Sequence, residues 1–272
     1  MEYKNVFITG ASSGLGRGLS LHYARAGATV YAAARREAEL DALEAEVVAL
    51  GGPGRIVPVV LDVSHAEKQV AALALAEAES AAGQGGGLDL VIANAGVSDP
   101  TPGRKLDWVK VKRILDINVS AACVTVAAAL PPMVARGRGT VVAVSSLAGL
   151  VGLPGHAAYS ASKAALHTFM ESLRIDLRGS GVHAVTIYPG FVKTEMTAKN
   201  KTPMPFLMEL DDAVRVMARG LARGSSTIAY PQPLVGLLRT AAALPGPLWE
   251  AMAGAVPFTK PPRKDKKAAS DA

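Results

Sequence analysis

The chain has 272 residues, half of them apolar, and a formal net charge of +6. That size accommodates one large α/β domain or two small ones around a substantial core. A single cysteine, Cys123, excludes an internal disulfide; it lies in an apolar run, reads as a packed core residue, and fits a reducing, cytoplasmic compartment. The first five residues lead straight into a strand pattern, without a basic-then-apolar leader. The uncharged stretches 117–135 and 139–162 are broken by Ser, Asn, Pro or Gly, which makes them poor membrane spans. Part of the positive charge is a tail, Lys260, Arg263, Lys264, Lys266 and Lys267, expected to be solvated and disordered.

Residues 4–9 read as a short buried strand. The turn Gly10-Ala-Ser12-Ser13-Gly14-Leu15-Gly16 follows, and then a helical pattern to Ala26. Strand, glycine turn and helix open a dinucleotide-binding βαβ unit. The glycines let backbone approach a pyrophosphate, and the helix N-terminus favours its charge. A second strand over 28–33 ends at Ala34 and is followed by Arg35-Arg36. An acidic residue there would suit the free ribose of NAD. Two guanidiniums instead favour a 2′-phosphate. The plainer reading, arginines at a solvated helix start, stays open.

A helix over 37–50 carries Leu40, Leu43, Val47 and Leu50 on one face. Residues 56–61 form a third strand ending at Asp62-Val63, and Ser64 is placed to cap a helix over 65–82. A fourth strand, 88–93, delivers Asn94-Ala95-Gly96. A helix is predicted from near Lys105 toward Leu130, with Asn118 inside it and Pro131-Pro132 disturbing its end. Residues 139–144 are a fifth strand, with Ser145 and Ser146 at its C-terminal end, the edge where open α/β sheets bind ligands. A sixth strand, 182–187, leads to Tyr188-Pro189-Gly190. A helix over 211–223, capped by Asp211 or Asp212, precedes a seventh strand over Thr227–Tyr230. The alternation predicts one doubly wound α/β domain around a parallel sheet of about seven strands.

Between the fifth and sixth strands a helix over 157–178 carries Tyr159 and Lys163. Four residues apart, they share a helix face. An ammonium beside a phenol favours the phenolate, so the tyrosine is expected to titrate closer to neutrality and to pass a proton at physiological pH. The five histidines are scattered without metal-ligand spacing, so no metal is expected. His156, three residues before Tyr159, reads either as a substrate contact or as a loop hydrogen-bonding group.

Taken together, Thr9-Gly10-x3-Gly14-x-Gly16, Asp62-Val63, Asn94-Ala95-Gly96, Asn118, Ser146, Tyr159-x3-Lys163 and Pro189-Gly190 resemble the short-chain dehydrogenases/reductases, in family order over about residues 4–197. One departure is Ala93, where many members have a second asparagine. The resemblance implies an NADP(H)-dependent oxidoreductase acting on a carbonyl or secondary alcohol, with NAD(H) as the lesser cofactor. It implies Tyr159 as acid/base, Lys163 lowering its pKa and binding the nicotinamide ribose, Ser146 on the substrate oxygen, and Asn118 holding a relay water. It assigns Gly10, Ser12, Ser13, Gly14, Leu15 and Gly16 to the pyrophosphate, Asp62 and Val63 to adenine, and Arg35, with Arg36 beside it, to the 2′-phosphate. Asn94, Ala95 and Gly96 join the cofactor site, and Val192 and Thr194, after Pro189 and Gly190, meet the carboxamide. Residues 191–210 correspond to the family's substrate lid. The family also implies a homo-oligomer, dimer or tetramer.

Phe191, Met196, Met204, Phe206, Leu207 and Met208, with Leu147, Leu150, Val151 and Leu153, read either as the lining of an apolar substrate pocket or as ordinary helix packing. A long-chain keto-lipid or 3-oxoacyl reductase is the narrower alternative. A cofactor-binding sensor without turnover is the alternative of another class, opposed by the intact Asn118, Ser146, Tyr159 and Lys163. The catalytic domain is expected to span 1–230. A Pro-rich apolar extension follows over 231–259, then the basic tail over 260–272. Two readings stand for the extension: packing over the substrate pocket or a subunit edge, which we favour, or lying on a membrane surface as a peripheral contact. The tail lacks aromatic or motif support for nucleic acid, so no such partner is expected.

Overall fold

The computed structural model describes residues 3–255 apart from 84–85, 199 and 201–202; the basic tail lies outside the described residues. Seven strands form one parallel sheet: β1 (Asn5–Thr9), β2 (Thr29–Ala34), β3 (Arg55–Val60), β4 (Leu90–Ala93), β5 (Gly139–Val144), β6 (Val182–Pro189) and β7 (Thr227–Tyr230), in the order β3-β2-β1-β4-β5-β6-β7. The helices between them are α1 (Gly14–Arg25), α2 (Glu37–Ala49), α3 (Ala66–Ala82), α4 (Trp108–Leu115), α5 (Ala122–Ala135), α6 (Ala157–Asp176), α7 (Glu195–Ala198) and α8 (Leu210–Ala222). Beyond β7 come α9 (Gln232–Ala242) and α10 (Gly246–Ala255).

The strands are near-continuous apolar runs because both sheet faces are covered. Alternation sends Val6 and Ile8 of β1 to the face packed by Leu19, Leu40 and Met217, and Phe7 to the face packed by Leu73, Val126 and Leu166. β1 pairs with β2 on one side (Val6 with Val30) and with β4 on the other (Val6 with Leu90). The strand order reverses there, which opens a crevice beyond the C-terminal ends of β1 and β4.

The structure differs from the sequence reading in several places. The central helix starts at Trp108, where the Asp107 carboxylate accepts the Val109 N–H at 3.0 Å. It passes through a π-helical stretch, Asp116–Ala121, and runs on through Pro131 and Pro132 to Ala135. Each proline removes a donor from the ladder. Val126, Ala129 and Met133, buried against the sheet, hold the last turns in place despite that loss. Among the described residues this Trp108–Ala135 helix is the one long and apolar enough to cross a membrane, yet its inner face is part of the core. Ser64 does not cap α3: His65 holds that position, and the Ser64 N–H goes to the Asp62 carboxylate at 2.9 Å. Glu209 precedes α8, so Asp211 and Asp212 lie in its first turn, where negative charge complements the helix dipole.

The extension packs on the domain. Leu234 and Val235 of α9 are buried with Leu147 and Tyr188, and the Trp249 indole of α10 donates to the Gly152 carbonyl at 3.2 Å. The contact made is with the loop after β5 and the end of β6. Leu234→Ala is expected to lower the unfolding free energy by about 2–4 kcal/mol in a urea titration. Leu237→Ala, on the outward face of the same helix, is expected to change it by less than about 0.5 kcal/mol.

Candidate active site

The glycine turn leaving β1 is shaped by close approach. Gly10 has φ +70°, and a Cβ there would lie 2.8 Å from Ala95 Cα. A Cβ on Gly16 would lie 2.3 Å from the Gly10 carbonyl oxygen. No other residue type fits at either position. The turn is gripped from across the switch point. Thr9 Oγ1 accepts the N–H groups of Asn94 and Ala95 at 3.0 and 3.1 Å, and Asn94 Nδ2 donates to the Thr9 carbonyl at 2.9 Å. Ser13 precedes α1 and makes no side-chain cap bond, so the first amide groups of the helix have no capping side chain. These features fit a pyrophosphate.

The second cluster stands at the ends of β5 and α6. Lys163 is buried; its Nζ donates to the Val144 carbonyl at 2.8 Å and lies 5.7 Å from the centre of the Tyr159 ring. A Cβ on Gly149 would meet the Lys163 carbonyl carbon at 2.7 Å, so the loop after β5 presses directly on this turn of α6. Ser145 Oγ ties the same turn down by donating to the Lys163 carbonyl at 2.7 Å. Burial draws the ammonium down from its usual 10.5 to about 8. Burial also raises the Tyr159 phenol, against a lowering hydrogen bond from Ser146. Here the sequence expectation is corrected for the protein alone: desolvation, not the lysine, sets the direction of the phenol's shift. Tyr159 as a whole is partly buried.

A model of the short chain dehydrogenase family matches residues 4–204. The chain belongs to the short-chain dehydrogenase/reductase family. An oxidoreductase of Myxococcus xanthus is 53% identical over 253 residues, covering 93% of this chain and 97% of the relative. A short-chain dehydrogenase of Sphingobium yanoikuyae, solved with NADPH, superposes with a TM-score of 0.74 at 25% identity over 98% of both chains. A gluconate 5-dehydrogenase-like protein of Beutenbergia cavernae, solved with NADP, gives a TM-score of 0.72 at 28% identity, covering 83% of this chain and 94% of that one. The protein is therefore an oxidoreductase of this family, with the family's seven-stranded dinucleotide-binding fold.

In this member the predicted residues gather around the crevice, and Asn118 and Arg36 are each held there by specific bonds. Asn118 is fully buried within the π-helical stretch. Its Oδ1 accepts the Val97 N–H at 2.8 Å, and its Nδ2 donates to the Val97 carbonyl at 2.9 Å and to Ser162 Oγ at 3.0 Å. The side chain is a clamp on the loop after β4, with its amide fully used. The two arginines also separate. Arg36 donates to Ser12 Oγ from Nε and Nη2 at 3.2 and 3.1 Å and pairs with Glu195 of α7 at 3.3 Å. Arg35 is exposed, has no ion pair among the described residues, and helps hold the Asp62 carboxyl below its usual range, behind the Ser64 amide.

Val192 is buried and forms a parallel bridge to Met208, while the Thr194 methyl lies over Gly14. The segment after β6 thus lies against the glycine turn through Thr194. Pro189 ends β6, and its carbonyl accepts the Ser146 hydroxyl at 3.4 Å. Val63 lies beside the α3 start, partly exposed. His156 bridges backbone with Thr101, and burial lowers its pKa. Thr101, Ser145, Ser162 and Glu195 carry no recognisable motif and gain their roles only from the fold. Thr9 belongs to the glycine motif, but its grip on Asn94 exists only through the β1–β4 pairing.

Lys163 has no carboxylate partner among the described residues, so its charge opposes folding. Between pH 8 and 10 the unfolded chain holds a lysine proton that the folded one has begun to lose, so stability rises with pH in that window. Lys163→Met is expected to abolish that slope and to raise the stability of the cofactor-free protein by roughly 1–3 kcal/mol near neutral pH, read by urea unfolding at several pH values.

Proposed function

We propose that the protein is an NADP(H)-dependent reductase or dehydrogenase of an apolar carbonyl/secondary-alcohol pair. The observation that carries the chemistry is the buried Lys163 ammonium 5.7 Å from the centre of the Tyr159 ring, with the Ser146 hydroxyl bonded to the same phenol. The nicotinamide supplies or accepts the hydride when it is bound. The residues handle the oxygen. Ser146 donates a hydrogen bond to the substrate carbonyl, and Tyr159 gives its proton to that oxygen as negative charge develops on it. In oxidation the same phenolate takes the proton back.

Lys163 serves in two ways. Its charge opposes the upward shift that burial imposes on the phenol, and its remaining N–H donors suit the ribose hydroxyls. Because the Asn118 amide is committed, a relay water would rest on its main-chain carbonyl, in a π-helical stretch where the regular ladder is interrupted. Gly10 to Gly16 would hold the pyrophosphate, with Ser12, Ser13 and Leu15 along the turn. Asp62, Val63, Asn94, Ala95 and Gly96 would flank adenine and the nearer ribose, and Gly190, Val192 and Thr194 the carboxamide.

The preference for a 2′-phosphate is supported by Arg35, exposed and without an ion pair, and by Arg36 held at the rim of the turn by Ser12. The two solved relatives with NADPH and NADP agree with it. Apolar character of the substrate is supported by the lid and by Leu150 and Phe191 beside the α9 cluster. The same reading includes a cytoplasmic protein that assembles as a dimer or tetramer.

Tyr159→Phe is expected to lose turnover by at least about 10²-fold while NADPH still binds, as judged by cofactor fluorescence; retention of full activity would remove the phenol from the chemistry. Arg35→Ala is expected to raise the KM for NADPH by about tenfold or more and leave that for NADH nearly unchanged. Equal changes for both cofactors would end the 2′-phosphate assignment.

A further inference from the structure

Helix α6 carries a second cluster of polar side chains beyond Tyr159 and Lys163. His167, Glu171 and Arg174 form a stripe at i, i+4 and i+7. The stripe is turned toward the sheet. His167 Nδ1 and the Tyr188 hydroxyl of β6 are hydrogen-bonded, and Arg174 donates to the Ala184 carbonyl from Nε at 3.1 Å and to Thr186 Oγ1 from Nη2 at 2.9 Å. Between this stripe, β6, β7 and the extension helix α9 lies a cavity of about 190 Å³. Leu147 and Leu150 give it an apolar wall, and Arg239 of α9 lines it together with Arg174. Ser146, Tyr159 and Lys163 are not among its lining residues, so the cavity is distinct from the catalytic cluster.

The charges on this cavity do not cancel. Two guanidiniums stand against one carboxylate, Glu171, whose Oε2 lies 3.7 Å from His167 Nε2. Arg174 uses Nε and Nη2 on β6 and keeps its Nη1 donors. The Arg239 guanidinium makes no hydrogen bond or ion pair among the described residues. Both charges reach the same phenol. Burial raises the Tyr188 pKa, the Thr186 hydroxyl and then Arg174 and Arg239 pull it down, and Glu171 pushes it up. Guanidiniums with spare donors on one cavity suit a carboxylate or a phosphate, and the leucines beside them suit a short apolar body. The volume is below the roughly 300–1,000 Å³ of drug-sized sites, which limits the ligand to a small molecule.

We infer that this cavity is a binding site for a small organic anion, a carboxylate or phosphate on a short apolar body, held by Arg174 and Arg239. The apolar wall connects it to the catalytic loop. Leu147 and Leu150 bracket Gly149, whose backbone packs on the Lys163 carbonyl. A molecule seated in the cavity therefore touches the turn that lies on the catalytic lysine. The site is built from a single chain, with the C-terminal extension supplying one of its two guanidiniums. It does not rest on the proposed chemistry, because it is read by binding and not by turnover.

The test is isothermal titration calorimetry of the full chain with sodium butyrate and, separately, with butyl phosphate. Butylammonium chloride at matched ionic strength is the cationic control. The expected result is binding of at least one anion and none of butylammonium, and the preferred anion tells a carboxylate ligand from a phosphate ester. Arg239→Gln should weaken anion binding by about tenfold or more. Glu171→Gln, which removes the opposing carboxylate, should tighten it by about twofold to fivefold. Arg35→Ala, in the dinucleotide crevice, should leave it unchanged. Hydrogen exchange should slow over residues 147–151 when the anion is added, and stay the same over residues 10–16. Arg239 and Glu171 are exposed, so unchanged circular dichroism keeps both variants interpretable, and the exchange pattern of the parent chain is the second measurement if one misfolds. Failure of both anions to bind at millimolar concentration overturns the inference. So does equal binding of butylammonium, or binding that survives Arg239→Gln. Binding that is lost in Arg35→Ala and protects residues 10–16 places the anion in the dinucleotide crevice and also overturns it.

Discussion

The site is organised around an ammonium kept out of water without a carboxylate beside it. Lys163 offers three donors, and the protein accepts one of them at the Val144 carbonyl. A buried cation under-supplied with acceptors is unfavourable in folding terms. The surrounding fold removes its escape routes. Ser145 fixes the backbone of the same residue, and Gly149 lets the loop lie flat on it. Asn118, reaching from another helix, fixes Ser162 one residue earlier. In the proposed reaction, such an arrangement would trade stability for a charge already in place near the substrate oxygen, without reorganisation when the reaction starts.

That charge also explains why the tyrosine must be read together with its ligands. In the protein alone, the apolar surroundings of Tyr159 oppose ionisation more than the Ser146 hydroxyl favours it. Burial thus shifts the two groups in opposite directions on the pH scale, the phenol up and the ammonium down. Bringing a polar ligand into the cleft adds partners to the unsatisfied ammonium and gives the phenol an oxygen to serve.

The sequence made the fold legible because parallel strands covered on both faces are written as apolar runs, separated by helices with a 3.6-residue period. The site was legible where chemistry demands a residue type at a fixed spacing, as for Gly10, Gly16, Tyr159 and Lys163. It was less legible where a side chain serves another part of the backbone. Nothing in the residues near Asn118 announces a π-helical stretch, and its bonds to Val97 span a sequence gap that no local pattern records. The two arginines look equivalent in one dimension. Only the packing of α7 beside the turn gives Arg36 a carboxylate and leaves Arg35 without one. The helix through Pro131-Pro132 shows the same limit: local preference predicted an ending, and burial of Val126 and Met133 overrode it.

The grip of Thr9 and Asn94 on the glycine turn changes what counts as a unit of inheritance. The motif occupies seven consecutive residues, but its shape is set by a hydroxyl before it and an amide some eighty positions downstream. A fragment ending before β4 would keep every glycine and lose the hand that holds them. Recombination between relatives can move the turn intact only if the strand from the far side of the switch point travels with it. The smallest transferable cofactor cradle in this protein is therefore a pair of neighbouring strands, not the loop that a motif search would mark.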